Sequence, residues 1–279
     1  MKTFNLTTKV VLVLVVLGLT FTGCTSDASD DPEIQEQDYS EVVMASEMDR
    51  VSASLEDFLI EVYEDQEDSE TRVGYSRTAF PGCTTITVVA ELGYRQLTVD
   101  FGEGCVIRGH LYQGKIIITY DRDIDEQQVS IGYVLEDFYF DAKQVIGSNS
   151  ILRELSNDDG NPQFTHTLDL TVVWPSGVQA SREGLKVREW VEGFGSGVFS
   201  DNVFEVTGYW VANFVSGHTH SYEIDIPLRR EVVCYYFVSG SVNVERTAFG
   251  GVFDYGEGDC DNQATFTFNS GDVVNITLN

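Results

Sequence analysis

Positive charge is scarce in this chain. Its 279 residues carry 17 Lys and Arg against 45 Asp and Glu, a net charge of −28. Such a chain has little with which to displace counterions from phosphates, so nucleic acid is excluded as a partner and acidic membrane surfaces repel it. Long apolar runs are lacking too: residues 10–19 form a run too short to span a bilayer. The nucleophile elbow Gly-x-Ser-x-Gly does not occur. Gly193-Phe194-Gly195-Ser196-Gly197 is rich in glycine, but strand-like sequence follows where phosphate binding would need a helix N-terminus.

What is present begins with a leader. Lys2 and Lys9 supply a positive end, residues 10–19 an apolar core, and Phe21-Thr22-Gly23-Cys24 closes it. An ordinary secretory signal would end in a small-residue A-x-A-like site, and none is evident. Gly23-Cys24 instead matches the end of a bacterial lipobox, although Phe21 departs from the usual aliphatic residue. The expectation is a signal peptide over residues 1–23, cleavage before Cys24, and lipid on Cys24 that holds the chain to a membrane. Residues 24–40 then form an acidic tether, with Asp27, Asp30, Asp31 and Glu33 close behind the lipid, too poor in apolar groups to fold.

Residues 41–279 read as a single β-rich domain, and its 42% hydrophobic and 12% aromatic content suits a real core. Met44, Met48, Val51, Leu55, Phe58 and Val62 recur at spacings of four and three, which predicts an amphipathic helix over residues 41–63. Residues 64–70 follow as an acidic, structureless exit. After Phe80, β-branched and aromatic residues alternate with polar ones between Gly, Asn, Asp and Pro punctuation. Strands are expected near 84–91, 94–101, 115–121, 127–140, 144–155, 163–174, 178–191, 202–215, 218–228, 232–247, 263–269 and 272–278. Short links such as Pro175-Ser176-Gly177 and Ser216-Gly217 demand antiparallel neighbours. The fold class is therefore all-β: a long antiparallel meander forming a curved barrel-like or sandwich body, with one N-terminal amphipathic helix packed on it. The strands lack the continuous lipid-facing band of a membrane barrel.

Cysteine supplies a framework. Apart from Cys24 there are four, Cys83, Cys105, Cys234 and Cys260, suited to an oxidising exported compartment. Asp100-Phe101-Gly102-Glu103-Gly104-Cys105 recurs as Asp254-Tyr255-Gly256-Glu257-Gly258-Asp259-Cys260, each with an earlier cysteine at the head of a strand and a later glycine-opened strand, at Gly114 or Gly271. The self-similarity selects Cys83–Cys105 and Cys234–Cys260 among three pairings. The repeated turns offer too few oxygen ligands for calcium, and their glycines suit a tight turn or bulge. Lipobox, acidic tether, strand-rich body and paired Asp-aromatic-Gly-Glu-Gly turns together resemble lipoproteins of Bacteroidota that have no known activity. In that group an acidic stretch after the acylated cysteine marks export to the cell surface. The resemblance implies an outer-membrane location, at the cell surface or facing the periplasm, and carries over no ligand.

Histidine is the natural place to look for chemistry. His218-Thr219-His220 places two rings on one strand face, as a two-histidine metal site requires, but Glu223 falls on the opposite face. His166 lies in phase with Phe164, Leu168, Leu170 and Val172. Three inward histidines could meet in a cavity only if the sheet curves strongly, so no metal and no cofactor is assigned. No catalytic residue is assigned either, since 45 acids make any one carboxylate pair uninformative. The strand at 202–215 is apolar on both faces, and Tyr209 or Trp210 could line a ligand groove. The expected function is a non-catalytic envelope or surface lipoprotein with a binding or structural role. Its glycan, lipid or protein ligand stays open. The alternatives are a carrier of an apolar ligand in a β cavity, and a glycan-acting hydrolase.

Overall fold

The computed structural model describes residues 38–71, 80–121 and 127–279. The expected signal peptide, Cys24 and nearly all of the acidic tether lie outside the described residues. Thirteen strands follow one helix, α1 (Ser40–Thr71): β1 (Thr85–Glu91), β2 (Tyr94–Ile107), β3 (His110–Asp121), β4 (Gln128–Phe140), β5 (Lys143–Glu154), β6 (Gln163–Val173), β7 (Gln179–Glu192), β8 (Val203–Phe214), β9 (Thr219–Glu231), β10 (Ser239–Arg246), β11 (Phe249–Glu257), β12 (Gln263–Phe268) and β13 (Val273–Thr277). Each strand pairs antiparallel with the next, in one sheet ordered β1 to β13. The sheet is open, with β1 and β13 as its two edges. Two-residue turns enforce this meander. Arg108 and Gly109 join β2 to β3 at φ 47° and 82°, and Asp141 and Ala142 join β4 to β5 at 47° and 64°. Paired positive φ values give the turn whose twist matches that of the flanking strands.

A twisted sheet of this size must curl, and here it curls around α1. Phe58 of the helix packs on Phe101 of β2, ring centroids 5.2 Å apart, while Asp49 accepts a hydrogen bond from Tyr255 of β11 at 3.1 Å. Strands far apart in sequence thus meet the same helix. The apolar stripe is buried as expected, with Met48, Val51, Leu55, Phe58 and Val62 at 1% exposure or less. The acidic residues between them are buried as well, among them Asp49, Glu56, Asp57 and Glu61. The helix is an enclosed core element rather than one lying on a sheet by a single face. It also continues through the segment expected to be structureless, as far as Thr71. The reason is partnership: Glu61 pairs with Arg108, Glu64 with Arg153, and Glu67 accepts a bond from Tyr120.

Two other expectations need correction. The single strand expected over 232–247 is only β10, because residues 232–238 form turns and irregular structure around Cys234. β11 lies between the strands expected at 232–247 and 263–269, where none was expected, and runs into the second copy of the repeated turn. Gly251 allows β11 to lie close to β12, since a Cβ there would stand 2.3 Å from the Thr267 carbonyl oxygen. The strand near 115–121 also begins earlier, at His110, with Gly114 beside a register shift inside it.

Both disulfides form as expected, Cys83–Cys105 and Cys234–Cys260. The duplicated turns match in detail: Gly102 N donates to Asp100 Oδ1 at 2.8 Å, and Gly256 N to Asp254 Oδ1 at 2.7 Å. Their aromatic residues, Phe101 and Tyr255, both turn inward against α1. The repeated motif is thus a bulged turn that aims one aromatic ring at the helix.

Candidate functional site

At least seven carboxylates of α1 meet cations of the sheet. Glu41 meets Arg246; Glu47 meets Lys143; Asp49 meets Arg182 and Lys186; Glu56 meets Arg188; Asp57 meets Arg188 and Arg230; Glu61 meets Arg108; and Glu64 meets Arg153. At least eight of the 17 basic residues are thus committed to the helix. Three of them, Arg182, Lys186 and Arg188, line the inward face of β7 at 1% exposure or less. Burial alone would raise the Asp49 carboxyl, but Lys186 and Arg182 outweigh it and hold it below its usual value. Burial would likewise raise Glu56, yet His166, Lys186 and Arg188, with a hydrogen bond from Ser52, bring it down to about 2. His166 sits within this layer, and desolvation lowers it to about 4, so its ring is neutral near pH 7. These groups neutralise one another and have no access to solvent. They form a structural layer.

Chemistry with access to solvent sits toward the two ends of the helix. Near the N-terminus, Glu41 occupies the first turn, where the helix dipole favours a carboxylate. His218 in the β8–β9 turn places Nδ1 3.0 Å from Glu41 Oε2, and His220 on β9 places Nε2 2.9 Å from the same oxygen. His220 is fully buried while the His218 side chain is 52% exposed. Burial lowers the His220 pKa against the pull of Glu41. Arg246, closing β10, donates to Glu41 Oε2 at 3.1 Å and also contacts His218 Nδ1. The expected pair of histidines therefore gains a carboxylate, from the helix rather than from Glu223. His166 is held elsewhere, beside Glu56.

Toward the C-terminus of α1 a cleft of about 370 Å³ opens, lined by Glu61, Glu64, Asp65, Arg108, Trp190 and the loop of residues 193–202. Trp190 packs its ring against Phe194, Phe199 and Phe204, with centroids 5.0, 6.3 and 5.2 Å away. Phe194 is 53% exposed. Trp190 Nε1 and Asn202 Oδ1 are buried and have no hydrogen-bond partner among the described residues. Desolvation raises the carboxyls of Glu61 and Glu64 in spite of Arg108 and Arg153. A neighbouring hollow of about 270 Å³ shares Arg108 and Ser200 and adds His110, Tyr112 and Tyr235.

Comparison with protein-family models, curated proteins and solved structures finds no match to this chain. The site must therefore be judged on its own geometry.

On that basis Tyr209 and Trp210 do not share a groove. They point to opposite sides of β8: Tyr209 is 59% exposed on the convex face, while Trp210 is 2% exposed inside. The Trp210 ring stacks on Tyr222 at 5.2 Å and receives Lys186 Nζ over its face at 4.5 Å. The apolar appearance of both faces of β8 has a plain origin. Phe204, Val206, Trp210, Ala212 and Phe214 are core residues, while Tyr209, Val211 and Val215 are solvent-facing. The space that an apolar ligand would need inside the curl is taken by α1. The void beside Val42, Tyr222 and Tyr255 measures about 10 Å³, scarcely a water. Sequence reading passed over Trp190 and Phe199 and named Phe194 only within a glycine-rich segment; the three are close in sequence, and what stayed hidden is that α1 brings Glu61 and Glu64 to the same cleft.

Proposed function

We propose that this chain is a non-catalytic envelope lipoprotein, anchored through Cys24, that binds a saccharide in the cleft at the C-terminal end of α1. The observation that carries the reading is the pairing of a tryptophan–phenylalanine wall with two buried polar atoms, Trp190 Nε1 and Asn202 Oδ1, left without partners among the described residues. Polar atoms so placed are costly unless something bonds them. Aromatic faces suit the C–H surface of a sugar ring, and a donor, an acceptor and nearby carboxyls suit its hydroxyls. Two disulfides favour an oxidising exported compartment. The acidic residues behind Cys24 and the resemblance to Bacteroidota lipoproteins favour the outer membrane and its surface.

The test is calorimetric titration of the full-length chain, in detergent, with xylan-, mannan-, cellulose- and chitin-derived hexasaccharides. At least one should bind, and Phe194→Ala should weaken it at least about fivefold, since removing one stacked ring costs about 1–3 kcal/mol by analogy with aromatic stacking in other binding grooves. Phe194 is exposed, so its loss leaves the fold intact. Failure of every saccharide to bind, or equal binding by Phe194→Ala, would remove the proposal. The raised carboxyls of Glu61 and Glu64 support hydrolysis of the bound saccharide as a second reading, because a general acid needs such a group. It fails if prolonged incubation releases no shorter product.

A further inference from the structure

We propose that Glu41, His218 and His220 form a binding site for a divalent transition metal, zinc by ligand type, which clamps the start of α1 to the β8–β9 hairpin. Glu41 Oε2, His218 Nδ1 and His220 Nε2 converge, and the ligand atoms of the three residues all lie within 4.8 Å of one another. Bonds of 2.0–2.1 Å to a tetrahedral ion would set such atoms about 3.3–3.5 Å apart, so small side-chain movements suffice. Two imidazoles and one carboxylate are a zinc set with a fourth position left for water. The 52% exposure of His218 places the entry path on the side of the hairpin turn.

Three details support the assignment beyond proximity. His220 has an outer partner: its Nδ1 lies 3.3 Å from the Tyr222 hydroxyl. With metal bound, Nδ1 can donate to that oxygen while Nε2 presents its lone pair on the Glu41 side, the arrangement expected behind a metal-ligating histidine. His220 is also wedged by Phe214 and Phe249, at 4.9 and 5.6 Å, so its ring orientation is set in advance.

The third detail is a conflict. His218 Nδ1 faces the Glu41 carboxylate, which wants a proton there, and also the Arg246 guanidinium, which wants a lone pair there. No single protonation state of the ring satisfies both. A divalent cation in the place of Arg246 Nη1 does, because it binds the lone pairs of His218, His220 and Glu41 together. Arg246 is then a competitor that holds the acidic site in the absence of metal.

The test is zinc titration of the full-length chain after chelator treatment and dialysis, in millimolar magnesium to saturate surface acids that offer only oxygen ligands. One zinc should bind with an affinity that His218→Ala and Glu41→Gln each reduce at least about tenfold. Arg246→Ala should tighten binding, whereas a merely structural Arg246 would leave it unchanged or weaker. Near-UV circular dichroism and the melting temperature of each metal-free variant confirm that it is folded, and His218→Ala, at an exposed turn, is the safest of them. Zinc should raise the melting temperature of the unaltered chain and not that of His218→Ala. Absence of zinc binding, or equal affinity in His218→Ala and Glu41→Gln, would overturn the site. An Arg246→Ala affinity that does not rise would overturn the shared position.

Discussion

Asp57 offers the sharpest test of the buried charge layer. Arg188 Nη2 reaches its Oδ1, and Arg230 donates to its Oδ2 through Nε at 2.9 Å and Nη2 at 2.8 Å. All three side chains are at most 5% exposed. Asp57→Asn keeps the shape and removes the charge. Arg188 retains Glu56 at 3.3 Å, but Arg230 is left with neutral acceptors, among them the carbonyls of Cys234 and Tyr236, at 2.6 and 3.2 Å. A guanidinium is then left buried without a carboxylate, which costs about 3–5 kcal/mol. The exposed pair Lys115–Asp100, with side chains 46% and 36% exposed, is the control, and Asp100→Asn should cost far less than Asp57→Asn because solvent screens the pair.

The assay is urea unfolding at pH 7 with both disulfides intact, read as a change in midpoint at constant slope. Adding Arg230→Met to Asp57→Asn removes the stranded charge and should recover part of the loss, a coupling of about 0.5–3 kcal/mol. The sign of the pH effect follows from the lowered Asp57 carboxyl, whose proton the unfolded chain binds first as pH falls. Its stabilisation is therefore present above the ordinary value of 3.8 and is lost as the pH falls below it. A cost of Asp57→Asn no larger than that of Asp100→Asn would refute the reasoning, as would a double variant no better than the single one.

Three further outcomes are expected. His166 falls from 6.5 unfolded to about 4 folded, so stability should drop by about 3 kcal/mol as pH falls from 6.5 to 4; His166→Gln should remove that part of the slope in urea midpoints taken at pH 7 and 4.5. Replacing Cys83 and Cys105 together by serine should cost about 3 kcal/mol in the same assay, since their bond closes a loop with a sequence separation of 22. Gly184→Ala should lower stability by about 1–3 kcal/mol. The added methyl would stand 2.3 Å from the Tyr209 carbonyl oxygen and 2.6 Å from Trp210 Cα, measurable as a lower melting temperature.

The sequence disclosed what depends on local periodicity. The spacing of Met48, Val51, Leu55 and Phe58 located α1, and alternation and turn residues located nearly every strand. The duplicated turn even chose the disulfides, because a bulge with its Asp-to-Gly bond is a local object. What it hid depends on closure. On β7 the apolar residues Leu185, Val187 and Val191 share one face, and hydrophobic alternation would turn that face inward. The opposite face, with Arg182, Lys186 and Arg188, is the buried one, because the helix it meets presents Asp49, Glu56 and Asp57. No pattern within either segment reveals that the two complement each other. Glu41 joined the histidine pair for the same reason, across a separation of 177 residues.

That complementarity also explains why an enclosed helix needs charge. A helix held only by apolar contacts inside a curled sheet could slip along its axis by one turn, about 5.4 Å, and still bury leucine against phenylalanine. The carboxylates of α1 forbid this. A one-turn shift in either direction would bring Ala45 or Ala53 to the place of Asp49 opposite Arg182 and Lys186, Ser52 or Ile60 to the place of Glu56 opposite Arg188, and Val43 or Val51 to the place of Glu47 opposite Lys143, leaving charges unpaired at several levels at once. Each broken level costs several kcal/mol, comparable with the whole stability of a domain when summed. The ion pairs thereby fix one register. That register holds Glu41 beside the β8–β9 hairpin and Glu61 and Glu64 beside Trp190, so the same constraint positions both solvent-facing sites.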